Sequence, residues 1–97
     1  MTIDDLLLAA RGEQARAKVL FPDPKHLTLA LAEEAGEVTK AVLNFYSGKG
    51  SVEDVDKEIV QCMAMCIRLW NEGDPAVNLG SVREHVELLA QQSNESE

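Results

Sequence analysis

Apolar residues recur at helical spacing through four segments of the chain, and connectors rich in glycine, proline and aspartate separate the segments. The first segment follows Thr2, a residue type that caps helices, and its apolar positions continue to Leu20. Two prolines come next, and each disfavours helix at the residue before it. We expect Asp23 to cap a second helix, with Pro24 at its first position and an end near Tyr46.

Two capping-box patterns predict where the remaining helices start: Ser51 with Asp54, and Ser81 with Glu84. The third helix should end at Trp70 or Asn71, and a short fourth helix should end near Gln92. No stretch alternates with period two, so the sequence predicts an all-α chain. We expect residues 1–92 to form one helical domain and residues 93–97 to be a polar tail that frays.

The third helix carries the widest apolar stripe, from Val52 to Trp70. A chain of 97 residues buries only about 60–65% of the surface that its unfolded form exposes. We therefore expect a bundle of three long helices and a short C-terminal helix that oligomerisation completes.

The composition excludes some classes of partner. A net charge of −8 repels nucleic acid backbones and anionic membranes. The N-terminus lacks the basic residues of a signal peptide, and no apolar run is long enough for a membrane span, so we expect a cytoplasmic protein with no membrane or nucleic acid partner. Cys62 and Cys66 lie four residues apart on one helix, and we expect buried, reduced thiols that act as small core residues.

The second helix places acid inside its apolar stripe, in the segment LAEEAGEV. Glu34 stands in the stripe, Glu37 lies one turn later on the same side, and Glu33 is rotated toward the flank. A lone buried carboxylate is costly unless it is paired, protonated or bound to a cation. Gly36 also weakens the helix, which is easier to understand if another helix or a ligand approaches closely there.

The third helix carries oxygen ligands along the edge of its own stripe: Asp54, Glu58 and Gln61. The short link predicts antiparallel packing of the two helices, with Glu34 and Glu37 facing Glu58 and Gln61. Such hard oxygen ligands suit Mg²⁺ or Mn²⁺. Two alternatives stay open at this point: acids that face solvent, and a salt bridge from Lys40 or Lys57 that neutralises part of the cluster.

The pattern resembles the MazG-like all-α nucleoside triphosphate pyrophosphatases, which carry E-E-x-x-E on one helix and E-x-x-D on the next. The matching residues are Glu33, Glu34 and Glu37, and then Glu58 followed by Gln61 in place of the aspartate. The resemblance implies a homodimer or homotetramer that binds Mg²⁺ through these acids. It also implies hydrolysis of a nucleoside triphosphate between its α- and β-phosphates, with Glu37 or Glu33 as the base.

Gln61 in place of the aspartate removes one negative charge from the site. Asp54, which lies one helical turn before Glu58, could supply that charge. Cations must also attract the triphosphate, and the candidates for substrate binding are Arg16, Lys18, Lys25, His26, Lys40, Lys49 and Lys57. The segment SGKGS that holds Lys49 follows a helix and lacks phosphate-loop spacing. Two other functions remain open: a non-catalytic nucleotide- or metal-binding relative, and a structural acidic bundle.

Overall fold

The computed structural model describes residues 1–95, and four α-helices account for most of them. Their bounds are α1 (Ile3–Leu20), α2 (Leu27–Tyr46), α3 (Val52–Glu72) and α4 (Val82–Glu95), with a short 3₁₀ turn at Pro75–Val77. The described residues contain no strand, only an isolated bridge between Asp74 and Leu79. The predicted all-α class is confirmed. None of the helices within residues 1–95 is long and apolar enough to cross a membrane.

Two of the predicted helix starts are stabilised by the local contacts that the sequence indicates. The Thr2 hydroxyl accepts from the Asp5 N–H at 3.1 Å, and the Asp5 carboxylate accepts from the Thr2 N–H at 2.9 Å. Ser51 and Asp54 exchange the same pair of bonds, both at 3.2 Å. Because each box satisfies otherwise unpaired N–H groups within four residues, these starts follow from sequence alone.

The predicted start of α2 is wrong. Asp23 does not cap the helix but accepts from the Lys25 N–H at 2.9 Å within the connector. The chain then turns through His26, which has a left-handed backbone with φ of 73°, and α2 begins at Leu27. Its cap is instead the carboxylate of Asp74, which follows α3. That residue is fully buried and accepts from the His26 N–H at 2.8 Å and the Thr28 N–H at 2.9 Å.

The turn after α3 fits this distant cap. Gly73 has φ of 71°, and a Cβ there would collide with the carbonyl oxygen of Leu79. Asp74 pairs through its backbone with Leu79, and its carboxylate also accepts from the Thr28 hydroxyl at 2.6 Å and the Ala76 N–H at 3.0 Å. The turn therefore fixes the end of α3 against the start of α2.

The C-terminal helix is longer than predicted. The Ser81 hydroxyl accepts from the Glu84 N–H at 3.1 Å, as expected for the start. However, α4 continues to Glu95, so residues 93–95 extend the helix rather than belong to a separate tail. The remainder of the predicted tail, residues 96–97, lies outside the described residues.

The third helix is the centre of the fold. α1, α2 and α4 all pack against α3, while α1 and α2 make no close backbone contact with each other within residues 1–95. α2 runs antiparallel to α3, because Asp74 at the end of α3 binds the start of α2. Side chains of α1 and α2 therefore flank α3 on two sides and leave clefts along it.

The buried apolar side chains are few and mostly small: Ala10, Ala17, Leu27, Ala41 and Ala64. The cysteines are free thiols as predicted, but they are not core residues. Cys62 is only half-buried, and Cys66 is exposed in the single chain. The core of one chain is thus small for its length.

Candidate functional site

The predicted acidic residue inside the bundle is Glu34. It is half-buried on the side of α2 that packs against α3, and the nearest charges that act on it come from Glu58, Glu37 and Glu33. We call Glu34, Glu37 and Glu58 the acid row. Glu58 on α3 is also half-buried, and its charge acts on Glu34, so these two acids of α2 and α3 lie close together.

Glu37 differs from the prediction. The sequence places it on the same inward side as Glu34, but the structure leaves it exposed, as it does Glu33. The physical reason is that three residues turn a helix by about 300°, so Glu37 lies at the rim of the α2–α3 contact rather than within it. Gly36 is also exposed, and a Cβ there would meet nothing within 4 Å. No part of the described chain uses the space that this glycine leaves.

One carboxylate oxygen of Glu34 lacks a hydrogen-bond donor. Its Oε2 atom is enclosed and has no hydrogen-bond partner within the described chain. Burial raises the pKa of the carboxyl group, and the neighbouring Glu58 raises it further. No cation offsets these effects, since no ion pair joins Glu34 to a basic residue among residues 1–95.

Convergence on a metal ion is incomplete. Within residues 1–95, no three side chains of His, Cys, Asp or Glu lie close enough together to hold a metal ion. The residues fit a hard divalent cation in their chemistry and in the unpartnered oxygen of Glu34, which a cation would satisfy.

The two remaining predicted ligands have other contacts. The Asp54 carboxylate accepts from the Ser51 N–H and is exposed, so it serves as part of a helix cap. Gln61 is half-buried and lies beside Glu13 of α1. Hydrogen bonding to Arg16 lowers the pKa of Glu13, and hydrogen bonding to Gln61 lowers it further by a smaller amount. Glu13 is a residue that the sequence did not indicate, because its proximity depends on how α1 packs.

One cleft lies between α1 and α2 and reaches the acid row at Glu34. This connector cleft has a volume of about 300 Å³. Its lining combines apolar side chains, acids and cations, among them Glu13, Arg16, Phe21, Lys25, His26, Leu27, Glu34, Gln61, Met65 and Arg68. It therefore brings three predicted substrate-binding residues, Arg16, Lys25 and His26, to the same side of the acid row.

Two of the arginines in the connector cleft already have acidic partners. Arg16 binds Glu13 at 2.6 Å, and Arg68 binds Glu72 at 2.7 Å in a nearly buried pair. The sequence did not single out Arg68, although its spacing of four from Glu72 is the usual signal of an ion pair on a helix. The other basic residues of this cleft, Lys25 and His26, have no ion pair in the described chain.

A second cleft, of about 170 Å³, lies at the other end of the acid row, where α2 ends and α3 begins. We call it the lysine cleft, because Lys40, Lys49 and Lys57 line it together with Glu37, Asp54 and Glu58. No ion pair joins these lysines to an acid among residues 1–95. The salt bridge from Lys40 or Lys57 that the sequence left open therefore does not form in the described chain.

Lys18 is not brought to the site. It is exposed near the end of α1 and lines a separate groove with Asn71 and Arg83. Of the predicted substrate-binding residues, Lys25 and His26 lie on one side of the acid row and Lys40 and Lys57 on the other.

No protein-family model, curated protein or solved structure matches the chain. The resemblance to the MazG-like pyrophosphatases therefore stays a prediction that depends on the acid pattern of α2 and α3. The geometry that bears on it is the half-buried Glu34 beside Glu58, with a cleft on either side.

Proposed function

We propose that this protein is a Mg²⁺-dependent pyrophosphohydrolase that cleaves a nucleoside triphosphate between its α- and β-phosphates, in the cytoplasm. The observation that carries the proposal is the enclosed, unpartnered Oε2 of Glu34, a half-buried acid with acids as its nearest charges. An enclosed carboxylate oxygen without a donor destabilises a fold, and a bound cation would remove that cost. Mn²⁺ would meet the same requirement.

Glu34 and Glu58 are the residues that would hold the metal ion, with Glu37 at the rim. A bound Mg²⁺ would supply charge neutralisation of the phosphates and a water of lowered pKa. Glu37 and Glu33 are exposed and hence accessible to solvent, which suits a group that accepts a proton from water. Glu37 is the better placed of the two, because it also lines the lysine cleft.

The clefts on either side of the acid row match the two parts of a nucleotide. The connector cleft offers apolar surface from Phe21, Leu27 and Met65, where a base or sugar would bury its own apolar surface. The lysine cleft offers three positively charged side chains, which would attract phosphate groups. A substrate that spans the acid row would place its phosphates near Glu34 and Glu58.

A panel of ribo- and deoxyribonucleoside triphosphates, incubated with the protein and Mg²⁺, tests the proposal through release of pyrophosphate. We expect release from at least one nucleotide, and a loss of about 100-fold or more in the Glu34→Gln and Glu58→Gln variants. Arg11→Gln is the control, since Arg11 is exposed on α1 and lines neither cleft. Silence across the panel, or release that survives both substitutions, would refute the proposal.

A second candidate function is a nucleotide-binding relative without turnover, which the position of Gln61 favours. Because Gln61 neighbours Glu13 on α1, it links two helices instead of adding charge to the acid row. This candidate predicts nucleotide binding in calorimetry with no pyrophosphate release, and turnover gained by Gln61→Asp.

We also propose that the protein works as a homodimer or homotetramer. The radius of gyration is 16.3 Å, against about 13 Å for a compact chain of this length. The accessible surface is 6780 Å², about 1,300 Å² more than a compact monomer of this mass exposes. Large apolar side chains are exposed on each helix, including Leu8, Leu43, Trp70 and Leu89. Sedimentation equilibrium tests this proposal, and a monomer at micromolar concentration would contradict it.

A further inference from the structure

The lysine cleft combines three unpaired cations with part of the acid row. Its lysines come from three different parts of the chain: Lys40 from α2, Lys49 from the loop between α2 and α3, and Lys57 from α3. Each is exposed and free of ion pairs within residues 1–95. Three carboxylates, Glu37, Asp54 and Glu58, line the same cleft, yet none of them lies within ion-pair distance of a lysine in the described chain.

The loop holds Lys49 at this cleft through its backbone. Gly48 has a left-handed backbone with φ of 73°, and the Lys49 N–H donates to the Asn44 carbonyl oxygen at 2.9 Å. Gly50 packs against the last turn of α2, where an added Cβ would lie 3.2 Å from the Cβ of Asn44. The main chain on both sides of Lys49 is thus tied to α2, and this limits where its side chain reaches.

The charges of the cleft select its ligand. Three acids and three lysines balance each other formally, so neither a bare anion nor a bare cation is strongly favoured. The lysines nevertheless do not pair with these acids. A complex of a divalent cation with a phosphate chain would satisfy both sets, with its cation on the carboxylates and its phosphate oxygens on the ammonium groups.

The other cleft offers fewer free charges. Arg16 and Arg68 are occupied by Glu13 and Glu72, and the lining includes the side chains of Phe21 and Met65. Three lysines without an ion pair therefore line the lysine cleft and one, Lys25, lines the connector cleft, whose lining also includes Phe21 and Met65. This difference between the clefts favours a nucleotide whose phosphates bind in the lysine cleft and whose base or sugar binds in the connector cleft.

We infer that Lys40, Lys49 and Lys57 form the subsite for the β- and γ-phosphates, and hence for the pyrophosphate that is released. The inference rests on the proposed function for the identity of the nucleotide. The subsite itself requires only a phosphate chain and a divalent cation. It predicts that inorganic pyrophosphate binds the protein in the presence of Mg²⁺ without any nucleoside.

Isothermal titration calorimetry with inorganic pyrophosphate and Mg²⁺ tests the subsite. We expect the wild-type protein to bind, and Lys49→Gln and Lys57→Gln each to bind at least about tenfold more weakly, because each removes one charge-assisted contact. Lys49→Arg keeps the charge and should stay close to wild type. Arg11→Gln removes one exposed positive charge outside both clefts and is the matched control; unchanged melting curves show that each variant is folded.

The inference is overturned if the wild-type protein does not bind pyrophosphate, or if the lysine variants bind it as tightly as Arg11→Gln does. These outcomes are separable from the fate of the proposed function. Glu34-dependent turnover together with lysine-independent pyrophosphate binding would remove the subsite and leave the activity. Lysine-dependent binding without turnover of any nucleotide would keep the subsite and remove the activity.

Discussion

Asp74 binds the start of α2 and Glu34 lies within α2, and the two carboxylates differ in their hydrogen-bond donors and in the charges near them. Asp74 caps the start of α2 and accepts from three backbone N–H groups and one hydroxyl. Glu34, less than two turns further along α2, has an enclosed oxygen without a donor and acids as its nearest charges. Asp74 is the more buried of the two, yet its anion is the one that the fold stabilises. The donors around each carboxylate therefore distinguish the structural acid from the candidate ligand.

The two pKa shifts express the same contrast. Hydrogen bonds from Thr28, His26 and Ala76 hold the pKa of Asp74 well below its usual value of 3.8. Burial and the charge of Glu58 raise the pKa of Glu34 above its usual value of 4.5. The folded state thus stabilises the anion of Asp74 and destabilises the anion of Glu34.

The largest expected effect comes from removing the structural acid. Asp74→Ala leaves the first N–H groups of α2 without their acceptor in a buried turn, and we expect Tm to fall by about 10 °C or more. Thermal unfolding followed by circular dichroism measures this. Asp23→Ala, at the acid that the sequence predicted as the cap, should change Tm far less. Equal losses in both variants would show that Asp74 is not the cap that matters.

Lowering the pH should weaken the same hydrogen bonds to Asp74 and should lower Tm by a smaller amount than Asp74→Ala does. Because the pKa of Asp74 is lowered on folding, its contribution is present above pH 3.8 and is lost as the pH falls below that value. Between pH 5 and pH 3, we expect the Tm of the wild type to fall about 5 °C more than that of Asp74→Asn. Parallel pH profiles for the two proteins would contradict the assignment.

The smallest expected effect has the opposite sign. In metal-free buffer at neutral pH, Glu34→Gln should raise Tm by about 3 °C, because it removes an uncompensated charge and keeps the shape of the side chain. A raised pKa destabilises the fold above that pKa, so the gain should disappear as the pH falls below 4.5. A Glu34→Gln variant that is less stable at neutral pH would mean that the carboxylate has a structural partner.

Local signals account for the parts of the fold that the sequence predicted. The capping boxes at Thr2 and Ser51 involve residues three apart, and the position of Glu34 follows from the periodicity of α2 itself. The antiparallel packing follows from the short link between α2 and α3. None of these features requires knowledge of a distant segment.

The features that the sequence missed all depend on distant segments. Asp74 reaches the start of α2 from 46 residues away, so the local pattern of Asp23 and Pro24 indicated the wrong cap. The contact of Gln61 with Glu13 depends on the position of α1, and so does the connector cleft. The exposure of Cys66 likewise depends on where the other helices pack, which the periodicity of α3 alone does not reveal.

Titration of Mg²⁺ into the wild-type protein and into Glu34→Gln by calorimetry, without nucleotide, tests most directly whether the unpartnered acid is a cation ligand. The structure predicts saturable binding of Mg²⁺ to the wild type and binding at least about tenfold weaker in Glu34→Gln. Glu33→Gln, on the exposed flank of the same helix, should bind Mg²⁺ like the wild type in this experiment. No saturable binding, or equal binding by wild type and Glu34→Gln, would contradict the account.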